Sequence, residues 1–87
     1  MPEPHNVVTL VVLQPIAVDT ASPDREGMLV IANGLLVAVL VRLDAPEHEM
    51  PGFWFLEATL GRLQGIRAPP FATLENATHW LRHHLRP

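Results

Sequence analysis

The chain has 87 residues, 48% of them hydrophobic, with nine acids, six basic residues and a formal net charge of −3. That much apolar material excludes global disorder and suits one domain, residues 1–87, burying about 60–65% of the surface its unfolded chain exposes. The absence of cysteine excludes disulfides, thiolate nucleophiles and cysteine-ligated metals. The negative charge argues against non-specific binding of nucleic acid, which needs many cations set against phosphate.

Residues 1–6 read as a flexible polar tail. Met1-Pro2-Glu3-Pro4 lacks the positive start of a secretory leader, and no apolar run is long enough to span a bilayer, so a cytoplasmic location is expected. Plentiful Ala, Pro and Arg without Lys fits a GC-rich bacterial genome. Val7 to Leu13 is rich in β-branched residues and predicts a strand that continues to about Val18. Pro15 has no N–H for a sheet ladder, so it should bend that strand or sit on an edge.

Asp19 to Gly27 is a polar connection, and Ser22-Pro23-Asp24 predicts a short 3₁₀ or turn element. Met28–Ala32 and Leu35–Leu43 then flank Asn33-Gly34, predicting strands at about 28–33 and 35–43. Asn-Gly between two apolar runs is a strong hairpin signal, because a type I′ turn needs positive φ at both central residues. The turn predicts Ala32 opposite Leu35, Ile31 opposite Leu36 and Val30 opposite Val37. Asp44 to Gly52 is a loop, and Phe53 to Leu60 reads as a fourth strand. Plain alternation sets Trp54, Leu56, Ala58 and Leu60 on one face and Phe53, Phe55, Glu57 and Thr59 on the other. Thr73 is the expected cap of a helix ending near Arg86, with Glu75 in its first turn. Leu74, Ala77, Leu81 and Leu85 form its apolar stripe, with Trp80 at the margin, where it should meet Trp54. The expected fold is therefore α+β: a four-stranded twisted antiparallel sheet in the order β-β-β-β-α, with one C-terminal helix on one face.

Plain alternation through the hairpin leaves both of its faces apolar. One would carry Met28, Val30, Ala32, Leu35, Val37, Val39 and Val41. The other would carry Leu29, Ile31, Leu36, Ala38 and Leu40. A helix about 10 Å wide covers one face of a small sheet and not both. Burying about 400 Å² of apolar surface is worth about 10 kcal/mol before entropic costs, so such a face seeks cover. Either the N-terminal segment folds across it or a partner does, most simply a second copy. The expected interface residues are Leu29, Ile31, Leu36 and Leu40, with Phe53 and Phe55 from the fourth strand. The leading functional expectation is a non-catalytic protein–protein interaction module that forms a homodimer and uses no cofactor.

Other residue groups carry alternatives. His79 and His83, at i and i+4 on the helix, are candidate metal ligands, with His84, His48 or Glu75 as a third. Glu47, His48 and Glu49 place carboxylates beside a potential base. Glu57 is a charge inside an apolar strand: a strand-face ion pair with an Arg such as Arg42 or Arg62, an edge charge that blocks aggregation, or a functional carboxylate. These residues would serve a small metal-binding protein or enzyme. Finally, Gly52-Phe53-Trp54 on a strand, a Gly-containing loop, and Phe71-Ala72-Thr73-Leu74-Glu75-Asn76-Ala77 opening a helix resemble the HicB-type antitoxin half-domain. The resemblance spans residues 35–85 and implies regulatory binding of nucleic acid or a toxin. The family's Pro-Gly-Cys turn is replaced here by Leu63-Gln64-Gly65-Ile66.

Overall fold

The computed structural model describes residues 9–86; the expected tail and the start of the first strand at Val7 and Val8 lie outside them. The elements are β1 (Val11–Ala17), β2 (Glu26–Ala32), β3 (Leu35–Arg42), β4 (Trp54–Thr59), a 3₁₀ turn at Gly61–Leu63 and α1 (Leu74–His84). The four strands form one antiparallel sheet in the order β1-β2-β3-β4. The expected α+β class, with four antiparallel strands followed by one C-terminal helix, is present, and the sheet places the strands in chain order.

The hairpin turn is as its chemistry requires. Asn33 and Gly34 have φ of 49° and 85°, and Ala32 faces Leu35 while Ile31 faces Leu36. The third expected pair does not form. Val30 faces Ala38, so Val37 is an extra residue bulged out of the ladder. A second bulge follows between β3 and β4, where Val39 faces Ala58 but Leu40 faces Leu56, leaving Glu57 extra. A single added residue inverts the inward–outward alternation beyond it. Ala38 and Leu40 thus join Val30 and Ala32 on the helix side, and Val39 and Val41 take the opposite face. Ala58 likewise leaves the face of Trp54 and Leu56.

β2 starts two residues earlier than expected, at Glu26. Gly27 sits inside the strand because a Cβ there would lie 3.0 Å from Val18 Cγ1 and 3.2–3.3 Å from the carbonyl oxygens of Ile16 and Leu40. The segment before it, Asp19–Asp24, is a turn stabilised by its own side chains. The Ala21 N–H donates to Asp19 Oδ1 and the Asp24 N–H to Ser22 Oγ, while Ala21 adopts φ 59°.

Pro15 lies on the edge, as one of its two expected placements. The Asn33 N–H donates to the Leu10 carbonyl and the Val18 N–H to the Arg25 carbonyl. Counting by twos between them, the even-numbered residues of β1 bond to β2 and the odd-numbered ones, Pro15 included, point outward. Its missing N–H therefore costs the sheet nothing and blunts the free edge.

α1 is capped as expected: the Asn76 N–H donates to Thr73 Oγ1 at 3.0 Å. Its stripe closes the core, with Ala77, Leu81 and Leu85 fully buried against Val30, Leu40, Trp54, Leu56, Leu63 and Phe71. The Leu85 N–H ends the helix on the carbonyls of Leu81 and Arg82. The two tryptophans do not form an aromatic pair. Trp80 meets Phe71 at 5.6 Å and stacks on His84 at 3.9 Å between ring centroids, and Trp54 is joined to Phe71 by a backbone bridge. Replacing Thr73 by Ala removes the cap acceptor and is expected to lower stability by about 1 kcal/mol, measured as a shift of the urea midpoint at unchanged slope.

Candidate functional site

The sheet has two unlike faces. α1 seals the first. The second begins with Val12, Gln14 and Ile16 of β1, which pair with Ile31, Leu29 and Gly27 of β2. It continues through Leu36, Val39 and Val41 of β3 to Phe55, Glu57 and Ala58 of β4. Val12 is 46% exposed, Ile16 and Leu36 42%, and Phe55 37%. Side chains of this size on one sheet face form a broad apolar surface, unlike the scattered single residues that any protein exposes.

Of the expected interface residues, Leu29, Ile31, Leu36 and Phe55 lie on this face. Leu40 does not. The bulge at Val37 turns it into the core, where it is fully buried. Phe53 precedes β4 and is half-buried. Val12 and Ile16 complete the face and were not singled out in the sequence. Gln14 lies between them on the same face, so no apolar–polar alternation along β1 marks them.

One end of the second face is roofed. The 18–25 loop and the 43–52 loop meet over Val41, which is buried with Ala45. Asp24 joins them. The N–H groups of Asp44 and Ala45 both donate to Asp24 Oδ1 at 2.6 Å, and His48 Nε2 lies 2.6 Å from Asp24 Oδ2. An ionised carboxylate only accepts, so Nε2 carries the hydrogen. Burial of Asp24 pushes its carboxyl pKa upward. The hydrogen bond from His48, the backbone donors of Ala45 and Asp44, and the His48 charge outweigh that, and the pKa falls below the ordinary carboxylate value.

Two clefts flank this latch. One, of about 450 Å³, is lined by Asp24, Leu43, His48, Glu49, Met50, Phe55, Glu57 and Pro70. The other, of about 400 Å³, lies over Val39 and Val41, beside Val18, Thr20 and Ala58. Asp24, Leu43 and Glu57 border both. The sequence placed His48 beside Glu47 and Glu49, but its partner is Asp24, 24 residues away. Nothing in the local pattern around Asp24 pointed to this. The loop hydroxyls are not set up as nucleophiles for His48: Thr20 Oγ1 donates to the Asp24 carbonyl and pairs with Ser22 Oγ. The Asp24–His48 pair links the two loops.

Glu57 is exposed and has neither of its expected partners. Arg42 reaches Glu26 at 3.4 Å and Asp44 at 3.3 Å, and Arg62 donates to the Leu85 carbonyl. His79 and His83 are exposed on α1. Among the described residues no three His, Asp or Glu side chains gather as a metal would require. His84 Nδ1 lies 2.9 Å from the Trp80 carbonyl and its ring stacks on Trp80, while Arg82, His83 and Arg86 are exposed. Among the described residues, no helix is long and apolar enough to cross a membrane. Comparison with protein-family models, with curated proteins and with solved structures finds no match, so the functional reading rests on this geometry.

Proposed function

We propose that this chain is a non-catalytic protein-interaction module that self-associates through the sheet face opposite α1. The observation that carries this reading is the run of exposed Val12, Ile16, Leu36 and Phe55 on that face. The edges of the sheet are poor alternatives. Pro15 interrupts the outward hydrogen-bonding positions of β1, and β4 is bridged at Trp54 by Phe71, with N–H to carbonyl bonds of 2.7 and 2.8 Å in both directions. Edges interrupted at Pro15 and at Trp54, beside an open apolar face, favour stacking of sheets over extension of the sheet. A second copy is the simplest partner, because a two-fold contact asks one surface only to complement itself.

Leu36→Lys places a charge in the middle of this face without touching the core. The variant is expected to run as a monomer at concentrations where the parent chain is a dimer, with its thermal midpoint measured at low concentration little changed. Light scattering on a sizing column at micromolar and tenfold higher concentration decides the matter. A parent chain that is monomeric at both concentrations refutes self-association.

A further inference from the structure

The larger cleft beside the latch has a composition of its own. Leu43, Met50, Phe55 and Pro70 give it apolar walls, and Glu49 and Glu57 bring carboxylates to the same hollow. His48 is its only basic lining residue, and His48 is turned to Asp24. Among the described residues neither Glu49 nor Glu57 has an ion-pair partner within 4 Å. Arg67 shares a separate hollow with Glu57, along Phe55 and Ile66, without reaching it. The two latch loops, 18–25 and 43–52, carry five acids, Asp19, Asp24, Asp44, Glu47 and Glu49, against Arg25, so the surroundings favour a cation.

We propose that this cleft receives an arginine side chain presented by a protein partner. Its aliphatic stem lies against Met50, Leu43 and Pro70, its guanidinium plane faces the Phe55 ring, and its N–H groups reach Glu57 and Glu49. Each part of the side chain meets a wall of matching chemistry. A guanidinium stacks on an aromatic face and offers several donors to carboxylates, and its stem packs on apolar surface. A volume of about 450 Å³ is within the range of small-ligand pockets. The Asp24–His48 clasp holds the 43–52 loop in place, so the cleft is formed before the arginine arrives. The proposal rests on the reading of the chain as an interaction module and specifies a second, polar anchor beside its apolar face.

The test is an NMR titration of the isotope-labelled chain with an acetyl-Gly-Arg-Gly-amide peptide, and in parallel with its citrulline counterpart, which has the same shape and no charge. Both are run on the parent chain and on Leu36→Lys, so that self-association cannot hide the cleft. Saturable shifts confined to residues around His48, Met50, Phe55 and Glu57, seen with arginine and not citrulline, are expected. Glu57→Gln and Glu49→Gln should each weaken the arginine peptide by roughly fivefold, as loss of one exposed ion pair allows, with the spectrum otherwise intact. No saturable shift in either background, or equal shifts from citrulline, overturns the proposal. Arginine binding by a chain that never dimerises retains the cleft and removes self-association. A dimer that ignores arginine does the reverse.

Discussion

Leu40→Ala is expected to lower the unfolding free energy by about 2–5 kcal/mol, whereas Leu36→Ala, four residues earlier on the same strand, should cost under about 1 kcal/mol. The difference comes from the bulge at Val37. Without it, residues 36 and 40 would share a face and the two substitutions would resemble each other. With it, Leu40 is fully buried among Val30, Leu56 and Leu81, and Leu36 is 42% exposed on the opposite side. Truncating Leu40 removes transfer free energy and leaves a cavity that α1 cannot collapse to fill without losing its contacts. Leu40→Lys should fail to fold, in contrast to Leu36→Lys. Urea unfolding at low protein concentration, where any self-association contributes little, measures both. Equal costs at the two positions would show an uninterrupted strand.

Asp24→Ala should be the most disruptive change of a polar residue, because one side chain serves three donors. The N–H groups of Asp44 and Ala45 and the His48 ring would lose their acceptor together, and the two loops roofing Val41 would part. Buried donors without an acceptor cost more than the average net hydrogen bond contributes. Asp24→Asn keeps an acceptor for the backbone donors and should be milder. The pH dependence has a definite sign. A carboxyl whose folded pKa is depressed contributes stability that is present above its unfolded value, about 3.9, and is lost as pH falls through the folded pKa. Stability of the parent chain should therefore fall with acid below about pH 4. The gap to Asp24→Asn, wide at neutral pH, should narrow over the same window. His48→Ala removes two causes of the depression, the hydrogen bond and the charge, and should move the acid limb to higher pH. Thermal midpoints of the parent chain and these variants from pH 2 to 7 test this. A gap that stays constant across the range would mean that Asp24 titrates alike in both states.

What the chain's own sequence determined was local. The Asn33-Gly34 turn was legible because few residues accept positive φ, and two adjacent ones between apolar runs leave little else to form. The Thr73 cap and the Leu74–Leu85 stripe were legible because a helix declares its boundary and its buried side within a dozen residues. The missing N–H of Pro15 narrowed its place to a bend, a strand end or an edge, and the strand pairing decided for the edge. Tertiary structure decided which face each strand residue would take. Val37 and Glu57 are bulged, and no preference of Val or Glu for a bulge marks them in the sequence. The bulges set Leu40 and Leu56 against α1 while the Asn-Gly turn holds the other end of the register. A one-residue change inverts a period of two, so a local pattern cannot reveal it. Asp24 and His48 were equally opaque. Each sits in a polar loop, and their meeting depends on β2 and β3 carrying two loops to the same end of the sheet, a relation between distant segments that neither segment contains by itself.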